Sequence, residues 1–542
     1  MSLGIRKVDP RIREFVLPTR VVWISEGGLT NPDALLQDDE SVCKMTAGAN
    51  GGVLLDFGQE LHGGVRLDVP MTSTNQKSRV RVRFGESVSE AMASPNNDHT
   101  IHDFEIDVAW MGHVEVGCTG FRFVRIDLID ANTSIDLKQV YAVYLYRPVE
   151  TLGSFECSDS RLNEIWRVGV HTVKMCMQDR VWDGIKRDRL VWIGDIHPET
   201  RVISAVFGDQ AVVRESLDYI RDTTPLPGWM NGISSYSIWW IITHYDWYLY
   251  HGSLEYLKEQ REYLIGLLSL LRSRVDDNGC EVLDGMRFLE WPTSTDPSAI
   301  DAGLQALVTI GLHKGAALCR ALGETEAAES TEAVVRQTAS CHRNPSESKQ
   351  ANALRVMAGM ADAVDVNSTI LANNPLQGLS TFYGYYILEA RARAQDFLGC
   401  QELIRHYWGG MLDLGATSFW EHFEVDWLKD AARIDELTGP GLHDVHSEYG
   451  GFCFQGLRHS LCHGWAAGPT AWLSEYVLGV RPIEPGFRRA HVKPRFEGLK
   501  WVRGKVPTPY GPIEVVCEHT VDDKHWIRIH APTEVTIEGH RG

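Results

Sequence analysis

The sequence predicts a multidomain protein: an (α/α)6 toroid of six helical hairpins, flanked by an N-terminal and a C-terminal β-sandwich domain. Three observations predict it. The first 150 residues alternate with period two, the pattern turns helical near Ser158, and it returns to β after Pro482. At 542 residues the chain is too long for one ordinary core.

In the N-terminal domain, residues 1–150, Val80-Arg81-Val82-Arg83-Phe84 and the run from Phe121 to Leu128 place apolar side chains on alternate positions. Gly48 to Gly52 and Pro95-Asn96-Asn97 punctuate the strands. Short alternating strands between turns favour a sandwich. Arg147 to Gly153 reads as a linker. In the middle domain, residues 151–480, Asp159 or Ser160 can cap a helix whose Leu162, Ile165, Trp166, Val170 and Val173 share one face. Further helical patterns cover 201–221, 253–275, 299–322, 325–340, 378–397 and 463–478, with Gly479 at a helix C′ position. Helices joined by long loops rich in Trp and Gly use that length well as a closed toroid. In the C-terminal domain, residues 481–542, strands are expected around Trp501, Ile513 and Trp526.

The formal charge of −19 repels phosphate backbones, so no nucleic-acid partner is expected. The sequence lacks CxxC pairs, and its odd count of eleven Cys argues against metal clusters and a disulfide scaffold. That usage fits a reducing cytoplasm. The N-terminus lacks an apolar signal core and no apolar run is long enough for a span, so no membrane partner is expected. A cytoplasmic location follows as the expectation.

The densest polar segment runs from Asp183 to Asp195, with three carboxylates, three cations and Trp192. Packed carboxylates push their pKa values apart, which separates an acid from a base. A salt-bridged surface loop is the alternative, since Arg187 and Arg189 can neutralise the acids; flanking Trp182 and Trp192 favour a cleft. A second cluster, Trp420 to Trp427, sets acids between aromatics, as a sugar subsite wall or as a charged rim over buried rings. Phe288 to Pro292 and His463-Gly464-Trp465 repeat the style. P-loop, HExxH and GxSxG motifs are absent from the sequence. Carboxylates and Trp with no metal motif point to glycosyl transfer to water.

The segment Asp183–Asp195 resembles the signature loop of the bacterial α-L-rhamnosidases, glycoside hydrolase family seventy-eight. There the loop reads approximately Asp-x-x-x-Arg-(Asp/Glu)-Arg-x-x-Trp-x-Gly-Asp. Asp183, Arg187, Asp188, Arg189, Trp192, Gly194 and Asp195 match. Leu55 to Glu60 and Gly120 to Phe123 look like the family's β-domain. Phe288 to Pro292 looks like its aromatic sugar contact, and Gly415-Ala416-Thr417 with Trp420-Glu421 like its second catalytic segment. Leu461-Cys462-His463 resembles a Leu-Asn-His there, and Pro485 to Gly511 its C-terminal sandwich.

The resemblance implies a six-hairpin glycosidase that releases terminal α-L-rhamnosyl residues with inversion, needing no cofactor and no metal. It implies Asp188 as general acid, Glu421 as base, and Asp183, Arg187, Trp192, Asp195, Trp291 and His463 as rhamnose contacts. Glu is the commoner acid; Asp188 is shorter by one methylene. A weakly catalytic sugar-binding homologue, or a glycosidase for another deoxysugar or uronic acid, stays open. The partners expected are a carbohydrate substrate, a rhamnoside, and a second copy of the chain in a possible homodimer.

Overall fold

A computed structural model describes residues 8–47, 51–74, 76–93, 102–341, 343, 346–519 and 525–539. The predicted turns at Gly48 to Asn50 and Pro95 to Asn97 lie outside these. A helical core sits between an N-terminal and a C-terminal sheet domain.

In the N-terminal domain a seven-stranded antiparallel sheet is built on two long strands, Gly52–Val69 and Gly112–Leu128. The predicted alternation at 80–84 and 121–128 falls in Ser78–Gly85 and Gly112–Leu128, which pair with Val80 opposite Leu128. A four-stranded sheet, containing Cys43–Thr46 and Ser134–Leu137, covers one face. Met45, Ile135, Val65 and Val80 share the resulting core. Two resemblance motifs meet here. Arg122 grips both oxygens of Asp56, at 2.8 and 2.9 Å, and its Nη1 donates to Gly415 O. Glu60 N donates to Thr417 Oγ1, so the sheet is tied to a loop of the helical core.

The helical core closes on itself. Ile193–Val206 packs on Ser234–His251, then Pro297–Leu322, Lys349–Met357, Gly384–Arg393 and Gly468–Trp472, which returns to Ile193–Val206. Ser160–Cys176 precedes these in sequence, Ala211–Asp222, Leu254–Arg272, Thr325–Ser340 and Phe397–Asp413 lie between them, and all five pack outside them. Asp159 caps the first helix, its Oδ1 accepting from the Arg161 and Leu162 amides. Leu162, Ile165, Trp166 and Val173 are buried there, and Val170 is half-buried.

Several helices differ from the sequence reading. The pattern expected at 201–221 is two helices, because Gly208 at φ 72° ends the first. Ser234–His251 escaped notice because nearly all its residues are buried, so apolar side chains fall on every face and leave no repeating stripe. The 378–397 pattern narrows to Gly384–Arg393, and Asp396 caps a further helix, Phe397–Asp413. The 463–478 pattern is a 3-10 turn, an α turn and a π turn in succession, ending at Gly479 with φ 74°.

The C-terminal strands Trp501–Val506, Ile513–His519 and His525–His530 form one sheet. Its fourth strand is Ser154–Cys157, from just after the linker, paired with Trp501–Val506. The sheet therefore joins the expected C-terminal domain, 481–542, to a strand from the range 151–480. Cys280 and Cys341 form a disulfide, and the other nine Cys are free. No described helix is long and apolar enough to cross a membrane.

Candidate active site

The loop after Ser160–Cys176 turns back on itself before helix Ile193–Val206. Asp183 Oδ1 accepts from the Leu190 amide, and Asp183 O accepts from Gly464 N. Asp188 and Arg189, with φ 53° and 55°, are consecutive left-handed residues, a conformation costly for residues other than Gly. That turn sends Asp188 and Arg189 to opposite sides: Arg189 reaches Cys118 O of the N-terminal sheet, and Asp188 turns to the cavity. Asp195 stands in the first turn of the next helix, where the dipole favours an anion.

All eight expected site residues line one cavity of about 390 Å³: Asp183, Arg187, Asp188, Trp192, Asp195, Trp291, Glu421 and His463. The inner helices converge there. Tyr236, on Ser234–His251, donates to Asp195 Oδ1 at 2.7 Å. Trp291 stands on a 3-10 turn with Phe288 edge-on at 5.1 Å. Trp192 meets Tyr236 edge-on, and Trp465 stacks on Phe382 at 4.8 Å. The cavity thus pairs flat aromatic walls with a polar floor.

Arg187 is the centre of that floor. Its Nη2 contacts both oxygens of Glu421, with Oε2 at 2.6 Å, and its Nη1 lies 3.2 Å from Asp188 Oδ2. Its Nε donates to Arg458 O. Glu421 is held further by the Ser460 amide on Oε2, at 3.2 Å. Its backbone carbonyl accepts from Thr381 Oγ1 and Trp465 Nε1. His463 Nε2 lies 3.8 Å from Asp183 Oδ2 and Glu421 Oε1, and 4.0 Å from Asp195 Oδ2.

Burial sets most of the proton affinities. Asp195 is pushed up to about 8, chiefly by desolvation, against the Tyr236 hydroxyl that lowers it. Asp183 is held well above the carboxylate range by burial and by Asp195. Burial also raises Glu421, and Arg187 pulls it back. His463 is held well below the usual imidazole range by burial and Arg187, so it is neutral at pH 7. The Asp188 side chain is more open, 34% exposed, and lies against Arg187. The cavity therefore gathers carboxyl groups whose proton affinities burial raises, beside a guanidinium that opposes the rise at Glu421, a setting suited to general acid–base chemistry.

Not every residue singled out by sequence reaches the cavity. Trp182 packs against His62 and the N-terminal core instead of forming a cleft wall. In the Trp420–Trp427 cluster only Glu421 lines the cavity; Trp420 is buried and Asp426 pairs with Lys429 at the surface. Tyr236, Asn231 and Arg458 line it without a motif to announce them. Tyr236 lies in the uniformly apolar helix, so no local pattern marks it. A larger cavity of about 470 Å³ lies further along the same inner helices, beside Arg201, Asp246 and Lys314. Its charges are paired with one another, and none of the expected site residues lines it.

A closed ring of helical hairpins, with acids and aromatic walls converging on one cavity, has the form of the six-hairpin glycosidases. Residues 150–338 match the family model for the bacterial α-L-rhamnosidase 6 hairpin glycosidase domain, and residues 479–540 that for the bacterial α-L-rhamnosidase C-terminal domain. An α-L-rhamnosidase of Alteromonas sp. (strain LOR) is 23% identical over 526 residues, covering 87% of this chain and 54% of that relative. The chain thus spans about half the length of that curated relative. Among solved structures, the GH78 family rhamnosidase of Bacillus sp. GL1 superposes with TM-score 0.77 at 22% identity, covering 93% of this chain and 55% of its own. A rhamnosidase from Klebsiella oxytoca with rhamnose bound gives TM-score 0.68 at 18% identity, covering 86% of this chain and 96% of its own. Residues 150–338 and 479–540 thus match the two bacterial α-L-rhamnosidase domains, and the chain shares the fold of the solved rhamnosidases.

Proposed function

We propose that the chain is an exo-acting α-L-rhamnosidase that inverts configuration, with Asp188 as general acid and Glu421 as general base. The observation that carries this is the convergence of all eight expected residues on one cavity, from loops up to 280 positions apart. Asp188 is the more exposed of the two, as a donor to a departing group would be, and Glu421 is buried and paired with Arg187, as suits a base held in the floor. Both carboxylates hold the same guanidinium through different nitrogens. An inverting pair of this kind needs its carboxyl groups about 6.5–9.5 Å apart, with a water between the base and the anomeric carbon. Rhamnose as the sugar is supported by the names of the relatives, among them the Klebsiella oxytoca protein with rhamnose bound. Release of p-nitrophenol from the α-L-rhamnoside, against a panel of other glycosides, tests it. Turnover confined to another glycoside would reassign the substrate.

A specific observation favours a second reading of the acid. Asp195 keeps its proton to about pH 8, whereas Asp188 is ion-paired with Arg187. Asp195 as proton donor is therefore the alternative, and separate Asn substitutions at 188 and 195 decide between them. The domain limits 1–150, 151–480 and 481–542 are kept as a proposal, with Ser154–Cys157 joining the C-terminal sheet. A homodimer is a proposal that light scattering tests. A cytoplasmic location has the Cys280–Cys341 disulfide against it, since such bonds persist in oxidising compartments.

A further inference from the structure

Behind the cavity, where the N-terminal sheet meets the helical core, lies a buried charged cluster that the mechanism above does not use. Lys186 precedes Arg187 in the signature loop and is 1% exposed. Its ammonium lies 2.9 Å from Glu90 Oε1 and 3.8 Å from Glu86 Oε2, donates to His459 O at 3.0 Å, and also meets Leu457 O. Glu86 and Glu90 belong to the N-terminal domain, at the end of strand Ser78–Gly85 and in the short helix Val88–Met92. Glu86, Glu90 and His446 bring ligand atoms within 4.8 Å of one another, as a metal site would. Lys186 already supplies the cation among them.

The second half of the cluster leads to Glu421. Glu86 Oε2 accepts from the Leu461 amide at 2.6 Å, and Oε1 lies 3.5 Å from Ser460 Oγ. Ser460 N in turn donates to Glu421 Oε2, and Glu421 N donates to Ser460 O. The segment 457–461 thus accepts Lys186 on two carbonyls and Arg187 on the carbonyl between them, at Arg458. From its amides it donates to Glu421 and Glu86. One short stretch of backbone carries the contacts of both catalytic loops, and Glu86 with Lys186 pins it from behind.

We infer that Glu86 and Lys186 are positioning residues: through segment 457–461 they fix the Arg187 guanidinium and the Glu421 carboxylate relative to each other, so the N-terminal domain is part of the catalytic unit. An unpaired group at this depth is costly, so removing either partner lets the segment move. A displacement of about 1 Å at reacting groups costs on the order of 100-fold in rate. The aromatic walls that bind sugar do not hang on this segment alone, so affinity is affected less.

The inference rests on the proposed function for its kinetic readout, and the test keeps the two apart. Glu86→Ala and Lys186→Met should lower kcat on p-nitrophenyl α-L-rhamnoside by on the order of 100-fold, with KM changed less than about threefold. Glu86→Gln keeps an oxygen for the Leu461 amide and should restore most of the loss. Folded Glu86→Ala and Lys186→Met proteins with unchanged kcat would overturn the inference. If the unmodified chain turns over no glycoside, the proposed function fails, and amide exchange decides the inference by itself. Peptides covering 418–424 and 456–463 should exchange faster in Glu86→Ala and return to the unmodified rate in Glu86→Gln; equal exchange in all three overturns it.

Discussion

Arg187 Nη2 contacts both carboxylate oxygens of Glu421, 2.6 Å from Oε2, while Nη1 of the same guanidinium lies 3.2 Å from Asp188 Oδ2. A single cation therefore joins the two acids assigned to the reaction. It pulls down the proton affinity of Glu421 against the burial that raises it. It also makes the two loops, at 183–195 and 415–427, mutually dependent.

Asp188→Asn should lower turnover by about 10²- to 10⁴-fold in a folded protein, the range for loss of general acid–base help. Substrates with activated leaving groups need less protonation and should lose less. Asp195→Asn, compared on the same two substrates, is the control. If it shows that dependence on the leaving group and Asp188→Asn does not, the acid is Asp195.

The inverting mechanism fixes the stereochemistry of the product. With a water between Glu421 and the anomeric carbon, the first product from an α-linked substrate is β-L-rhamnose. Proton NMR of the anomeric signal in the first minutes reads this. Early α-L-rhamnose means retention and removes Glu421 from its role as base.

The buried acids make stability depend on pH. Asp195 titrates at about 8 in the fold and at about 4 in the unfolded chain. Between those values the folded state binds the extra proton, so unfolding free energy falls as pH rises. Asp183 and Glu199, both raised, act in the same direction. Buried histidines held low, such as His463, act oppositely, but only below the unfolded histidine value of about 6.5. The melting temperature should therefore drop from pH 7 to pH 8, and drop less in Asp195→Asn. An equal drop in both proteins contradicts the assignment.

Gly464 marks how tightly the floor is packed. A Cβ there would lie 2.1 Å from Cδ of Glu199, which is fully buried. Gly464→Ala should cost about 1–3 kcal/mol, the range for overpacking a core. Gly439→Ala, with open space around it, is the control. Equal melting temperatures for the two variants would show that Glu199 yields freely.

Residues at fixed short spacing were legible without a structure. The Asp183–Asp195 loop, Glu421 between aromatics, and the cap at Asp159 each announce themselves within a dozen positions, because local chemistry imposes the spacing. So did the alternation of the N-terminal strands, since a strand with one buried face must repeat every second residue. Helix Ser234–His251 did not, since a helix buried on all sides carries no periodic signal, and Tyr236 was lost with it.

The sequence by itself determined the three-part β–α–β order and eight of the residues that line the cavity. Only the tertiary structure decided how their charges are shared. That Arg187 serves both Asp188 and Glu421, that Asp195 keeps its proton, and that Glu86 of the N-terminal sheet stands behind Ser460 are facts of three-dimensional neighbourhood. The partners come from parts of the chain hundreds of positions apart. Desolvation and Coulomb energy depend on burial and distance, and no local pattern of residues encodes either.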